Sequence, residues 1–272
     1  MLKHLSLDVE TFIRIARRHP LFWGDLSPNG YFTLELSKYD FKDSNEIATS
    51  QTYCTGEFFR RISEVTPTYT LILSDLSVQK ASKRTPGIVA GRTLDLNISS
   101  FYARNLSQRF LKAFFRECSM HAESATFEGC IFPENTSDVS YCYLALKGLP
   151  RNARPERMLE VFGGLELWVE ACPCFDDSII DYLADTGGEG FTCPSPMIHT
   201  IYLADCDGFT FTSMMRLVEV RKACHTLAIQ EQDEATLLEG LSVRGQSPHL
   251  TVDELQWFKT HMTYVNLPRP VP

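Results

Sequence analysis

The chain has 272 residues, 44% of them hydrophobic, and a formal net charge of −8. That apolar content excludes a disordered chain, and no apolar run approaches the roughly 18–20 residues that a membrane helix needs. The charge is uneven: residues 51–120 carry 10 basic and 5 acidic side chains, whereas residues 121–272 carry 10 basic and 22 acidic, which excludes a nucleic-acid groove in the second part.

The opening MLKHLSLDVETFIRIARRHP lacks a basic stretch followed by an apolar core and a small-residue cleavage site, so a cytoplasmic or nuclear protein is expected. Nine cysteines, odd in number and scattered, form no disulfide framework. They read as small buried apolar side chains in a reducing compartment. The N-x-S sequons at Asn97, Asn105 and Asn135 then read as chance.

In chain order, short apolar strands recur. Leu2, Leu5 and Leu7 have the spacing L-x-x-L-x-L. Phe32, Leu34 and Leu36 alternate, as do Leu71 and Leu73 with Leu76 beyond, and Leu94 and Leu96. Phe127 and Phe132 mark the next strand, then Tyr143, Leu144, Leu146 and Leu149. Phe162, Leu165 and Leu167 return to the full spacing, followed by Ile198, Ile201 and Leu203. CHTLAIQ (224–230) and Leu238, Leu241 and Val243 close the series.

Helix-period pieces lie between the strands. Phe12, Ile13 and Ala16 share one face. Leu106, Phe110, Leu111, Phe114 and Phe115 share another. DDSIIDYLAD predicts a helix capped by Asp176 or Asp177, burying Ile179, Ile180 and Leu183, with Gly187 or Gly188 at its C-terminal end. FTSMMRLVEVRKA predicts a helix with Met214, Leu217 and Val218 inward, ended by Arg221 and Lys222. Thr251 and Glu254 form a capping box before Leu255, Phe258 and Met262, and LPRPVP cannot continue that helix. Residues 77–88 and 149–158 read as loops.

One strand, one turn and one helix in about 25–30 residues is the unit of a leucine-rich repeat. Such a unit buries its apolar face only by stacking on neighbours, and the stack displays a strand-lined surface. The expected fold is an α/β leucine-rich-repeat solenoid, horseshoe-like, with irregular repeats and the final helix as its C-terminal cap. A single domain over 1–272 is expected, best formed over 160–265 and divergent over 37–160, where an insertion has room.

Three segments carry a family resemblance: DDSIIDYLAD, then CPSPMIHTIYLADCDGFTFTSMMRLVEVRKA, then LEGLSVRGQSPHLTVDELQWFKTHM. Together, over residues 160–265, they resemble the leucine-rich-repeat region of the F-box-like proteins of mushroom-forming fungi. The resemblance implies a ubiquitin-ligase substrate receptor, whose repeats bind substrate while an F-box recruits a Skp1-type adaptor. This sequence enters at a strand and shows no leucine-proline-led F-box helix set, so the implied adaptor contact has no residues to carry it. A structural or scaffolding repeat protein outside ubiquitination is the alternative.

Motifs for chemistry are weak. Cys172-Pro-Cys174 with Cys193 lacks the C-x2-4-C pairs of a zinc site. DCDG (205–208) lacks the remaining ligands of a calcium loop. GGEG (187–190) and GIVAGRT (87–93) are not phosphate loops. No G-x-S-x-G or H-E-x-x-H occurs, and His121, His199 and His225 are dispersed. The expectation is therefore a non-enzymatic protein-binding module without cofactor or metal. Its partner-binding face would consist of the outward strand residues Glu166, Trp168, Thr200, Tyr202 and Ser242.

Overall fold

The structure, a computed structural model, describes residues 3–18, 32–41, 55–65, 69–78, 94–134, 139–186, 193–231 and 235–270. Leu2, most of the expected loop 77–88, and Gly187 and Gly188 lie outside the described residues. The chain forms two compact units, 1–139 and 140–272.

In the first unit β1 (His4–Asp8), α1 (Val9–Arg18), β2 (Thr33–Phe41), α2 (Thr55–Glu64), β3 (Thr70–Val78), β4 (Leu94–Arg104), α3 (Gln108–Glu117) and β5 (Cys118–Glu128) follow one another. The strands pair in parallel and in chain order. Register aligns Leu5, Leu34, Leu71, Phe101 and Ala125 in one row, and Leu7, Leu36, Leu73, Ala103 and Phe127 in the next. These rows point toward the helices and, from β2 onward, are buried. Alternation then sends the residues between them to the other face. The helices bury Phe12, Phe58, Phe59, Phe110 and Phe114 against the sheet. Phe59 meets Phe110 and Phe114 edge-on at 5.5 and 5.7 Å.

In the second unit β6 (Val139–Lys147), α4 (Glu156–Val161), β7 (Glu166–Glu170), α5 (Asp177–Leu183), β8 (Thr200–Ala204), α6 (Phe211–Glu231), β9 (Gly240–Arg244), α7 (Val252–His261) and β10 (Tyr264–Asn266) follow the same plan. The pairing is again parallel, each strand with the next. Leu144, Leu167, Ile201 and Leu241 form one buried row, and Leu146, Val169, Leu203 and Val243 the other. The architecture is thus α/β, with parallel strands in chain order in each unit. Strands β3, β4 and β5 continue it through the stretch that reads as divergent.

Each strand from β2 to β9 meets a left-handed residue at one fixed point, two residues after its second buried-row position. Lys38, Asp75, Asn105, Gly129, Gly148, Ala171, Asp205 and Gly245 all have positive φ. Their recurrence explains the abrupt end of most strands, since the left-handed backbone breaks the pleat. At four of these points the residue's N–H donates to the next strand: Asn105 to Glu128, Gly148 to Glu170, Ala171 to Ala204 and Asp205 to Arg244. Gly245 admits no side chain, because the Asp205 carboxylate occupies the place of its Cβ.

Five readings of the sequence change. The loop expected over 149–158 is helical from Glu156, where α4 begins, with Met158 buried. Leu165 is not an inward strand residue but exposed, and the buried row runs through Leu167 and Val169. The preceding Gly164 lies against the carbonyls of Tyr141 and Cys142 and the ring of Phe162, where no Cβ fits. CHTLAIQ is not a strand: it is the end of α6, with Cys224 and Ala228 buried one turn apart. Arg221 therefore lies inside α6 and not at its end. It is 3% exposed and donates to the carbonyls of Pro194 and Ser195. Finally, α7 is followed by another strand, β10, beside β9.

The helix caps follow the sequence closely. Asp176 caps α5 by accepting from the Ser178 N–H at 3.0 Å. Asp177 instead accepts from the Thr210 N–H at 2.6 Å and from Ser213, tying α5 to the start of α6. Thr251 and Glu254 form the reciprocal capping box of α7. Phe258 and Met262 are buried behind it.

Candidate functional site

In the second unit, the face opposite the helices consists of the residues that alternate with the buried rows. Register places Tyr143, Glu166, Thr200, Gly240 and Tyr264 side by side, then Ala145, Trp168, Tyr202, Ser242 and Asn266, then Lys147, Glu170, Ala204 and Arg244. All five residues expected on a binding face, Glu166, Trp168, Thr200, Tyr202 and Ser242, fall in the first two rows.

Their exposure differs. Trp168 is 47% exposed, and Glu166 and Tyr202 are half-buried. Thr200, at 7%, and Ser242, at 2%, are buried despite facing outward. Thr200 leans across Gly240, its Cγ2 and Oγ1 occupying the place of the absent side chain. Its hydroxyl also lies 3.0 Å from His199 Nδ1. Ser242 Oγ accepts from Asn266 Nδ2 at 3.1 Å. These two side chains form the floor of the face and the aromatic residues form its relief.

That relief is larger than alternation alone indicates. Trp168 and Tyr202 stack with centroids 3.9 Å apart and planes 17° from parallel. Tyr143, Leu165 and Tyr264 are exposed on the same face or at its N-terminal edge. Tyr143 reads by sequence only as one apolar residue of its strand, Leu165 suffers the two-residue register error, and Tyr264 lies in a segment with no strand period. Only pairing register brings them together.

The polar groups are ordered along the strands. Glu166 Oε2 accepts from the Trp168 indole N–H at 3.3 Å. Burial, followed by the charge of Glu166 and the nearby Tyr264, raises Tyr202 above the ordinary tyrosine range. His199 Nε2 and Glu239 lie 3.4 Å apart at the N-terminal edge, and Lys147 pairs with Glu170 at 2.9 Å toward the C-terminal end.

Three cysteines, Cys130 in the first unit and Cys172 and Cys206 in the second, occupy one repeated place after their strands. Cys130, Cys172 and Cys206 are buried, each three residues after the second buried-row residue of its strand. Each thiol donates to a carbonyl of its own strand end and to one in the preceding strand. Cys172 reaches Glu170 at 3.2 Å and Leu146 at 3.3 Å, and Cys206 reaches Ala204 at 3.4 Å and Val169 at 3.8 Å. Cys130 reaches Glu128 at 3.3 Å and Ala103 at 3.6 Å. Burial raises Cys130 and Cys206 to about 11, so both remain thiols at neutral pH. Among the described residues no group of three or more His, Cys, Asp or Glu side chains is arranged to hold a metal ion. No helix among them is long and apolar enough to cross a membrane.

No protein-family model, curated protein or solved structure matches the chain.

Proposed function

We propose that the chain is a leucine-rich-repeat protein that binds a protein partner on the outward strand face of its second unit, and that it is not an enzyme. The observation that carries this reading is the exposed cluster of Trp168, Tyr143, Tyr264 and Leu165 on rigid, register-locked strands. Several large exposed apolar side chains on one face of a folded domain mark a contact site. Tryptophan and tyrosine are the residues that dominate binding energy in such contacts. Rigid strands hold them without a large ordering cost on association.

Two regularities support the repeat assignment. The left-handed residue recurs at one fixed point from β2 to β9. Buried cysteines recur at the place where the repeat consensus L-x-x-L-x-L-x-x-N/C puts asparagine or cysteine, and Ile198, Ile201, Leu203 and Cys206 match it outright. The resemblance over 160–265 extends the proposal to substrate recognition for an F-box-type ubiquitin ligase in the cytoplasm or nucleus.

Affinity capture with the full chain and with Trp168→Ala, followed by direct binding measurement on each captured protein, tests the reading. A partner bound by the full chain and lost with Trp168→Ala is the expected result. Partners bound equally by both remove the face from the proposal. Recovery of neither a Skp1-type adaptor nor a ubiquitinated substrate removes the ligase role and leaves a scaffolding repeat protein.

A further inference from the structure

The floor and relief of this face differ in chemistry along the strands. On one side of Trp168 lies the stacked Tyr202. On the other the registered residue is Ala145, whose methyl group is too short to cover an indole. Trp168 is 47% exposed in spite of the Tyr202 stack, so a large part of its ring is open to solvent. The Glu166 carboxylate sits at the indole edge, and among the described residues no basic side chain pairs with it. Basic groups elsewhere on the face are engaged or displaced: Lys147 pairs with Glu170, His199 is held by Glu239 and Thr200, and Arg244 stands in the row at the C-terminal end. An exposed aromatic ring beside an unpaired carboxylate is the arrangement that attracts a cation: the ring through its quadrupole, the carboxylate through charge. Residues 121–272, with 10 basic and 22 acidic side chains, add a long-range field of the same sign.

We propose that the partner anchors on this face through an arginine or lysine side chain, its cationic head on the exposed part of the Trp168 ring and within reach of Glu166. Tyr143 and Tyr264 flank the anchor and cover the adjoining apolar part of the partner. The inference rests on the protein-binding reading of the face and adds the chemistry of the group that is bound.

A phage-displayed library of random linear peptides selected on the full chain provides the test. Peptides that lose binding with Trp168→Ala are expected to share one arginine or lysine. Replacing it with citrulline or norleucine, which keep bulk without charge, should weaken binding about tenfold. Glu166→Gln should weaken it about three- to tenfold and flatten its dependence on salt. Trp168-dependent peptides that lack a basic residue, or that tolerate its neutral replacement, overturn the cationic anchor while sparing the binding face. A selection yielding no peptide sensitive to Trp168→Ala, Tyr202→Ala or Tyr264→Ala overturns both. Trp168 is exposed, so folding of the variants is checked simply by circular dichroism.

Discussion

The outward rows of the two units differ in chemistry, although the first unit also exposes Tyr69 (42%) and Tyr102 (45%), the latter registered beside Ile72. In the first, the row through β1 to β5 reads His4, Thr33, Thr70, Ser100 and Ser124, and Ser124 donates its hydroxyl proton to Ser100 at 3.0 Å. The second has Tyr143 and Tyr264 in the matching row and Trp168 and Tyr202 in the next. The first unit keeps many of its rings inside, with Phe58, Phe59, Phe110 and Phe114 packed ring on ring. A strand–turn–helix unit fixes where a side chain points but not which chemistry stands there. A row of small hydroxyl side chains offers little apolar area, whereas half-exposed rings leave apolar area that a partner can cover.

Removing rings from the two regions breaks the comparison at its strongest point. Phe110→Ala should destabilise the first unit by about 3–5 kcal/mol, seen as an earlier denaturant midpoint. The second unit holds a buried polar clamp, Arg221 on the Pro194 and Ser195 carbonyls. Arg221→Met leaves the Pro194 and Ser195 carbonyls without their charged donor, and about 2–3 kcal/mol should be lost in urea unfolding. Thr251→Ala removes half the capping box of α7 and should cost about 1 kcal/mol by the same measurement. Ala171→Gly should move stability the other way by less than about 1 kcal/mol, because Ala171 holds a positive φ at the point where glycine, Gly148, ends the neighbouring strand β6. Trp168→Ala should change stability by no more than about 0.5 kcal/mol while abolishing partner binding in a pull-down. A large stability loss there would make Trp168 a core residue and dissolve the contrast with Phe110.

Much of the fold is written in local spacing. Ile198, Ile201 and Leu203 specify β8 because each inward position carries a branched aliphatic side chain, and Thr251 with Glu254 specifies the start of α7 through hydrogen bonds three residues apart. Where a non-local contact decides, spacing misleads. Leu165 looks inward, but Gly164 has to lie against the carbonyls of Tyr141 and Cys142, which shifts the buried row by two. Arg221 resembles a helix end, yet it is kept inside α6 by carbonyls some 26 residues earlier. Within the candidate site, alternation places Trp168, Tyr202 and Glu166 on one face without revealing their exposure. Tyr143, Leu165 and Tyr264 join them only through strand pairing. The burial of Thr200 and Ser242 depends on Gly240 and Asn266, partners on other strands.

The cysteines at the strand ends turn each junction into a chemical reporter. A thiol of Cys130, Cys172 or Cys206 that bridges carbonyls of two successive strands is shielded from an alkylating reagent as long as those strands stay together. Separating one pair of strands would release one sulfhydryl. The label gained in a brief iodoacetamide pulse by the peptides that carry these three residues, read apart from that on the exposed Cys142, therefore reports which junctions have opened and in what order.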